Sequence, residues 1–328
     1  MIRASHSLTL PLVGRVGAQR RGGGHAITFR RAIATPTPDP SPQGGGEKNL
    51  WQRIRTNHIR KTNVATFIAT FVALSFFLTL LDNALAAAGR EPPPAGSIQG
   101  APPQYTRFTA AELTRGFMVL AFGSDLRIGA RPRGIRRFDH PIAVRVIQGG
   151  SVDRVAAMRA VVEDYARQAP ALGLSLADGA QTHDVEVRLI DEKDFKSALE
   201  AAFGVKVTRD FVARTDPQCM TSVKSTADGD IVRSVSFVIV DKGDDVFFDC
   251  AYHELLHAFG LSNHDQRNPF TTLNQRRMVG YITVYDRALL TLLYDRRVTP
   301  GMTAAQARVV LPEVIKRLGL TKDGKGPR

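Results

Sequence analysis

The chain has 328 residues, 43% hydrophobic and 23% charged, the balance of a globular protein rather than a fibrous or low-complexity one. Its formal charge of +13 would suit a nucleic-acid binder, but the excess is local. Residues 1–63 carry 11 Lys and Arg against Asp39 and Glu47, whereas residues 64–328 carry 33 against 29. With no basic face or recognition motif in that larger part, nucleic acid is excluded as a partner.

Residues 1–50 are rich in Gly, Pro, Arg and Thr, as in Thr35-Pro-Thr-Pro-Asp-Pro, and show no hydrophobic period. They read as a disordered or mis-annotated N-terminal extension. Residues 51–87 read as a signal peptide or membrane anchor. Arg53, Arg55, Arg60 and Lys61 precede the uncharged run 64–81, and Ala84-Leu-Ala86 offers a signal-peptidase site. Cleavage after Ala86 is the expected outcome, an uncleaved anchor the alternative. Either way the positive flank puts the C-terminal domain outside the cytoplasm, periplasmic or secreted, with membrane contact only through 64–81 if it is retained.

Residues 88–104, with Pro92-Pro-Pro94 and Pro102-Pro103, read as a stiff linker to a folded domain over 105–328. Thr109-Ala-Ala-Glu112 predicts a capping box opening a helix to about Gly123. Strands follow at 142–147, 184–190 and 232–240, and helices at about 152–168 and 191–203. After them come an apolar helix ending at Gly260 and two C-terminal helices, about 283–295 and 303–318. This order predicts an α+β domain with a small mixed sheet.

The apolar helix carries the chemistry: Cys250-Ala-Tyr-His253-Glu254-Leu-Leu-His257-Ala-Phe-Gly260, an H-E-x-x-H signature. One helical turn apart, His253 and His257 share a face and can bind one metal ion. Glu254 is then placed to act on a water in the open coordination position. That is the apparatus of zinc-assisted hydrolysis, with Zn²⁺ as cofactor and Glu254 as general base. The competing reading is a core helix whose histidines are satisfied by hydrogen bonds.

The longer run His253-Glu254-Leu-Leu-His257-Ala-Phe-Gly260-Leu-Ser-Asn263-His264-Asp265 resembles the metzincin pattern H-E-x-x-H-x-x-G-x-x-H/D. The resemblance implies a zincin-like fold, in which a strand precedes the metal-binding helix. It also implies a third ligand just after the glycine turn. Here Asn263 stands at the family's position, a poor zinc ligand. His264, one residue later, is the expected third ligand, and Asp265 the fallback. Met278-Val-Gly-Tyr281 is similar to the methionine turn and its following tyrosine, which implies Tyr281 as an oxyanion stabiliser.

Cys219 and Cys250, in a chain with an export signal, are expected to pair and so tie the loop before the last strand to the active-site helix. The alternative puts Cys250 near the metal. Together with Tyr285-Asp286-Arg-Ala-Leu-Leu-Thr-Leu-Leu-Tyr294-Asp295, they make residues 105–318 resemble a family of uncharacterised exported bacterial domains. In that family the helix often reads E-E-L-x-Q-A-x-G-L; this chain departs by carrying both histidines. The function expected is a zinc metallopeptidase acting on peptide or protein substrate, which adds as a strand along 232–240. The alternative is a non-catalytic envelope binding or scaffold domain on a degenerate zincin fold.

Overall fold

The computed structural model describes residues 12–16, 90–91, 94, 97–123, 133–206, 208–209, 212 and 217–319. Residues 64–81 lie outside that set. Among the described residues no helix is long and apolar enough to cross a membrane.

Among the described residues the domain is a mixed sheet with six α-helices that have assigned bounds. Its strands are β1 (Leu12–Val16), β4 (Ala143–Gln148), β5 (Ser175–Leu176), β6 (Val185–Ile190), β7 (Pro217–Ser225) and β8 (Ile231–Ile239), in the spatial order β1-β7-β8-β6-β4-β5. β5, β4, β6 and β8 run parallel, while β7 is antiparallel to β8 and β1 antiparallel to β7. A separate two-stranded ribbon joins β2 (Arg90–Glu91) to β3 (Gln104–Tyr105), so the proline-rich linker pairs its own ends. The helices are α1 (Ala110–Phe122), α2 (Val155–Gln168), α3 (Glu192–Phe203), α4 (Asp244–Ala258), α5 (Val284–Leu293) and α6 (Ala304–Arg317).

The helix starts follow local chemistry. Thr109, Thr283 and Thr303 each accept from the backbone N–H three residues on, and Glu112, Asp286 and Gln306 return the bond to the cap. Each reciprocal pair satisfies two donors that a helix start leaves orphaned. On one face of the sheet, Val144, Val185, Val187, Leu189 and Val238 join Met158, Val161 and Val162 of α2 and Leu255 of α4 in the main core. On the other face, Phe195 and Leu199 of α3 cover Ile190, Met220, Phe237 and Ile239.

Three expectations change. β7 has no counterpart in the sequence reading, because Thr221 and Ser222 break its apolar pattern although both are buried. A hydrogen bond across the β7–β8 pair explains how Thr221 is buried: its hydroxyl meets that of Ser236 at 2.7 Å. Cys219 therefore sits on a strand, not in a loop. Its disulfide with Cys250 of α4 is formed, with Cα atoms 5.8 Å apart, which takes Cys250 away from any metal. For a 31-residue separation the chain-entropy model assigns about 3–4 kcal/mol to such a link. Finally, β8 is bonded to β6 on one side and β7 on the other. It is no sheet edge, so a peptide cannot add along 232–240.

Candidate metal centre

α4 begins at Gly243, with Asp244 and Asp245 in its first turn, where negative charge suits the helix dipole. Ten of its residues are buried, His253, Glu254 and His257 completely. The helix stops in a Schellman turn. Gly260 N–H donates to His257 O at 3.0 Å, and Leu261 N–H donates to Leu256 O at 3.1 Å. Gly260 has φ +114°, and a Cβ there would lie 2.1 Å from the Arg136 carbonyl oxygen. Only glycine fits both demands.

Beyond the turn the chain is pinned to the end of α1. Ser262 and Asn263 N–H both donate to Leu120 O, and Asn263 Nδ2 donates to Val119 O at 3.0 Å. The Asn263 amide nitrogen thus anchors the loop, and the next side chain, His264, turns back onto α4. The Asp265 N–H bonds to Leu273 O, and its Oδ1 accepts from Arg267 N–H.

The three imidazoles meet at their Nε2 atoms. His253 and His264 are 2.9 Å apart there, His253 and His257 3.0 Å, and His257 and His264 3.1 Å. All three residues are buried. Nitrogens each about 2.0–2.1 Å from one zinc ion lie about 3.3–3.4 Å apart at tetrahedral angles, and the edges of this triangle are a few tenths of an ångström shorter, so the three atoms are close enough to share one ion. The tautomers agree. His253 Nδ1–H donates to Thr272 O at 3.2 Å, and His257 Nδ1–H donates to Leu261 O at 2.5 Å. A carbonyl can only accept, so each Nδ1 holds its ring's proton and each Nε2 presents a lone pair inward. Burial, then His264, hold the His257 imidazole well below the usual range, against the raising effect of the Leu261 carbonyl. It is therefore neutral at neutral pH.

The carbonyl that orients His253 is itself fixed. Thr272 donates to Asp286 through N–H at 3.1 Å and Oγ1 at 2.6 Å, and Thr271 Oγ1 donates to the other carboxylate oxygen at 2.5 Å. Asp286 is completely buried. Burial raises its pKa, opposed by these hydrogen bonds. Asp249, one turn before His253, accepts from Val279 N–H at 2.6 Å and so ties 278–282 to α4. Neither carboxylate stood out as a site residue in the sequence, although Thr283-Val-Tyr-Asp286 carries the capping-box spacing.

Tyr281 does not join the cluster. Its hydroxyl donates to Pro102 O at 2.7 Å, and burial pushes its pKa up to about 12. The side chain holds the 98–105 segment against the domain, and its oxygen is committed there.

We expect Asp286→Asn to keep the fold but weaken metal binding by about 10–100-fold, the range for a group that orients a ligand through one intermediate. Competition against a chelator of known affinity measures this. Unchanged affinity would confine Asp286 to capping α5.

A family model described as a protein of unknown function, DUF2927, matches residues 110–313, which takes in every element of the centre. No curated protein and no solved structure matches the chain significantly.

Proposed function

We propose that this chain, which belongs to the DUF2927 family, is a zinc-dependent hydrolase of peptide bonds acting outside the cytoplasm. The observation that carries the reading is the meeting of three buried Nε2 atoms within 3.1 Å, two of them on rings whose Nδ1–H groups point away to carbonyls. Lone pairs so close repel unless a cation lies among them. Three neutral imidazoles favour zinc among the common ions, and three protein ligands leave a coordination position for water.

Bound zinc supplies a water of lowered pKa and a Lewis acid for the scissile carbonyl. Glu254, next to His253 on α4 and fully buried, takes the water's proton and passes it to the leaving amine. Tyr281 has no part in this scheme. Export is supported by the Cys219–Cys250 disulfide, which suits an oxidising compartment. A chain kept in the cytoplasm would instead yield two alkylatable thiols.

Metal analysis of the purified protein tests the centre. One zinc per chain is expected, lost in the His253→Ala/His257→Ala double variant. A well-folded wild-type protein that takes up no metal would leave the scaffold reading in its place.

A further inference from the structure

α4 is tied to its surroundings by side-chain hydroxyls, and the ties fall on the ligand turns. Tyr165 Oη of α2 donates to Tyr252 O at 2.6 Å, and Thr221 Oγ1 of β7 donates to Glu254 O at 3.1 Å. Ser234 Oγ of β8 donates to Ala258 O at 2.8 Å, and Tyr294 Oη, at the end of α5, donates to Phe259 O at 2.9 Å. The first two carbonyls flank His253, and the last two directly follow His257. Four hydroxyls from four elements thus fix the backbone on which two of the three ligand imidazoles stand. His264 is fixed separately, through the bonds of Ser262 and Asn263 to α1.

Two of these bonds complete the helix end. The Ser262 N–H that would serve Ala258 O in a longer helix goes to Leu120 O instead, and Ser234 and Tyr294 supply the missing donors. The other two go beyond what a helix needs. Tyr252 and Glu254 lie inside α4, where each carbonyl has a helical donor for one lone pair, and the hydroxyl takes the second. These hydroxyls replace hydrocarbon in a core. Ser234 is buried opposite Val185 and Val223 of its neighbouring strands, and Thr221 opposite Ser236. Thr221 gives its one proton to Glu254 O, so Ser236 must donate to Thr221 at 2.7 Å, which links β8 to α4 through β7. Burying a hydroxyl is unfavourable unless it is bonded, so apolar residues would serve adhesion better. Adhesion through apolar contact has no preferred direction. A hydrogen bond has one, and four of them set both the rotation of α4 and its position along its axis. Nε2 atoms that meet at 2.9 to 3.1 Å need that control, since a functional constellation tolerates errors of only about 0.5 Å.

We propose that Tyr165, Thr221, Ser234 and Tyr294 are positioning residues that preform the metal centre, holding His253 and His257 in place before an ion binds. The inference rests on the metal reading of the centre and on no particular reaction there.

Titration of the metal-free full chain with Co²⁺, followed by visible absorption, tests it beside zinc competition and thermal melts. Cobalt stands in for zinc, and its band positions report ligand geometry. Thr221→Val/Ser234→Ala and Tyr165→Phe/Tyr294→Phe remove the hydroxyls two at a time with little change of shape. Each pair should bind both ions at least ~10-fold more weakly, the lower end of what a supporting group contributes, with shifted and broadened cobalt bands. Thr221→Ser should keep wild-type affinity and spectrum. The ion binds the folded chain, so well below the melting temperature a variant that is merely less stable keeps its affinity. Wild-type affinity and bands in both pairs, or in whichever pair folds, would therefore overturn the proposal even if melting temperatures fall. A folded wild-type chain that takes up neither ion would overturn the metal reading itself, and the proposal with it.

Discussion

Glu254→Gln should keep one zinc per chain and the wild-type melting temperature while lowering hydrolysis by about 10²–10⁴-fold, the usual contribution of a general base. The two side chains have the same shape, so packing around the fully buried position on α4 is preserved. The backbone of Glu254, whose carbonyl accepts from Thr221 Oγ1 at 3.1 Å, is untouched. What changes is proton affinity. An amide oxygen does not take the proton of an attacking water at neutral pH, and its NH₂ has none of the carboxylic acid's capacity to protonate the departing amine. The comparison of kcat/KM with zinc content in the same samples separates this effect from metal loss. A variant as active as the wild type would remove Glu254 from the mechanism.

Much of this arrangement was legible in the chain because it is local. Thr109-Ala-Ala-Glu112 and Thr303-Ala-Ala-Gln306 announce α1 and α6 by the chemistry of their first turns, and both boxes form. His253, Glu254 and His257 follow from helical spacing alone. Gly260 foretold the turn, though not that the Arg136 carbonyl would press against it. Elements that depend on partners far along the chain were hidden. β7 reads as polar because Thr221 finds its hydrogen-bond partners only after β8 and α4 are in place. The Thr272 carbonyl that orients His253 comes from 19 residues away and carries no side-chain signature. Arg136 looks like any surface arginine in a run of them, Arg131 to Arg137, until the fold closes around it. Tyr281 misled for the converse reason. A short resemblance to the methionine turn says nothing about where the hydroxyl finds its acceptor, which is Pro102 in a segment more than 170 residues earlier.

The register of the third ligand yields the last expected result. His264→Ala should weaken zinc binding by well over ~100-fold, beyond the range seen when only a supporting group is lost. Two imidazoles then face the ion, one fewer than the three protein ligands a catalytic zinc site normally retains. Asn263→Ala should behave differently. It deletes the bond from Nδ2 to the Val119 carbonyl, which costs stability of about 0.5–1.5 kcal/mol, the net worth of one hydrogen bond, because that carbonyl still accepts from Gly123 N–H. Zinc affinity should change little, since Ser262 and residue 263 keep their backbone bonds to Leu120 O and still aim the chain at α4. Asp265→Ala should also leave zinc close to wild type, as its carboxylate accepts from Arg267 N–H at the cleft wall. Thermal melts and zinc titrations of the three variants therefore separate two kinds of loss, metal without fold and fold without metal. Had the chain kept the metzincin register literally, the order would reverse, with Asn263 critical to zinc and His264 dispensable. Equal, unperturbed zinc affinity in all three would remove this loop from the coordination sphere altogether.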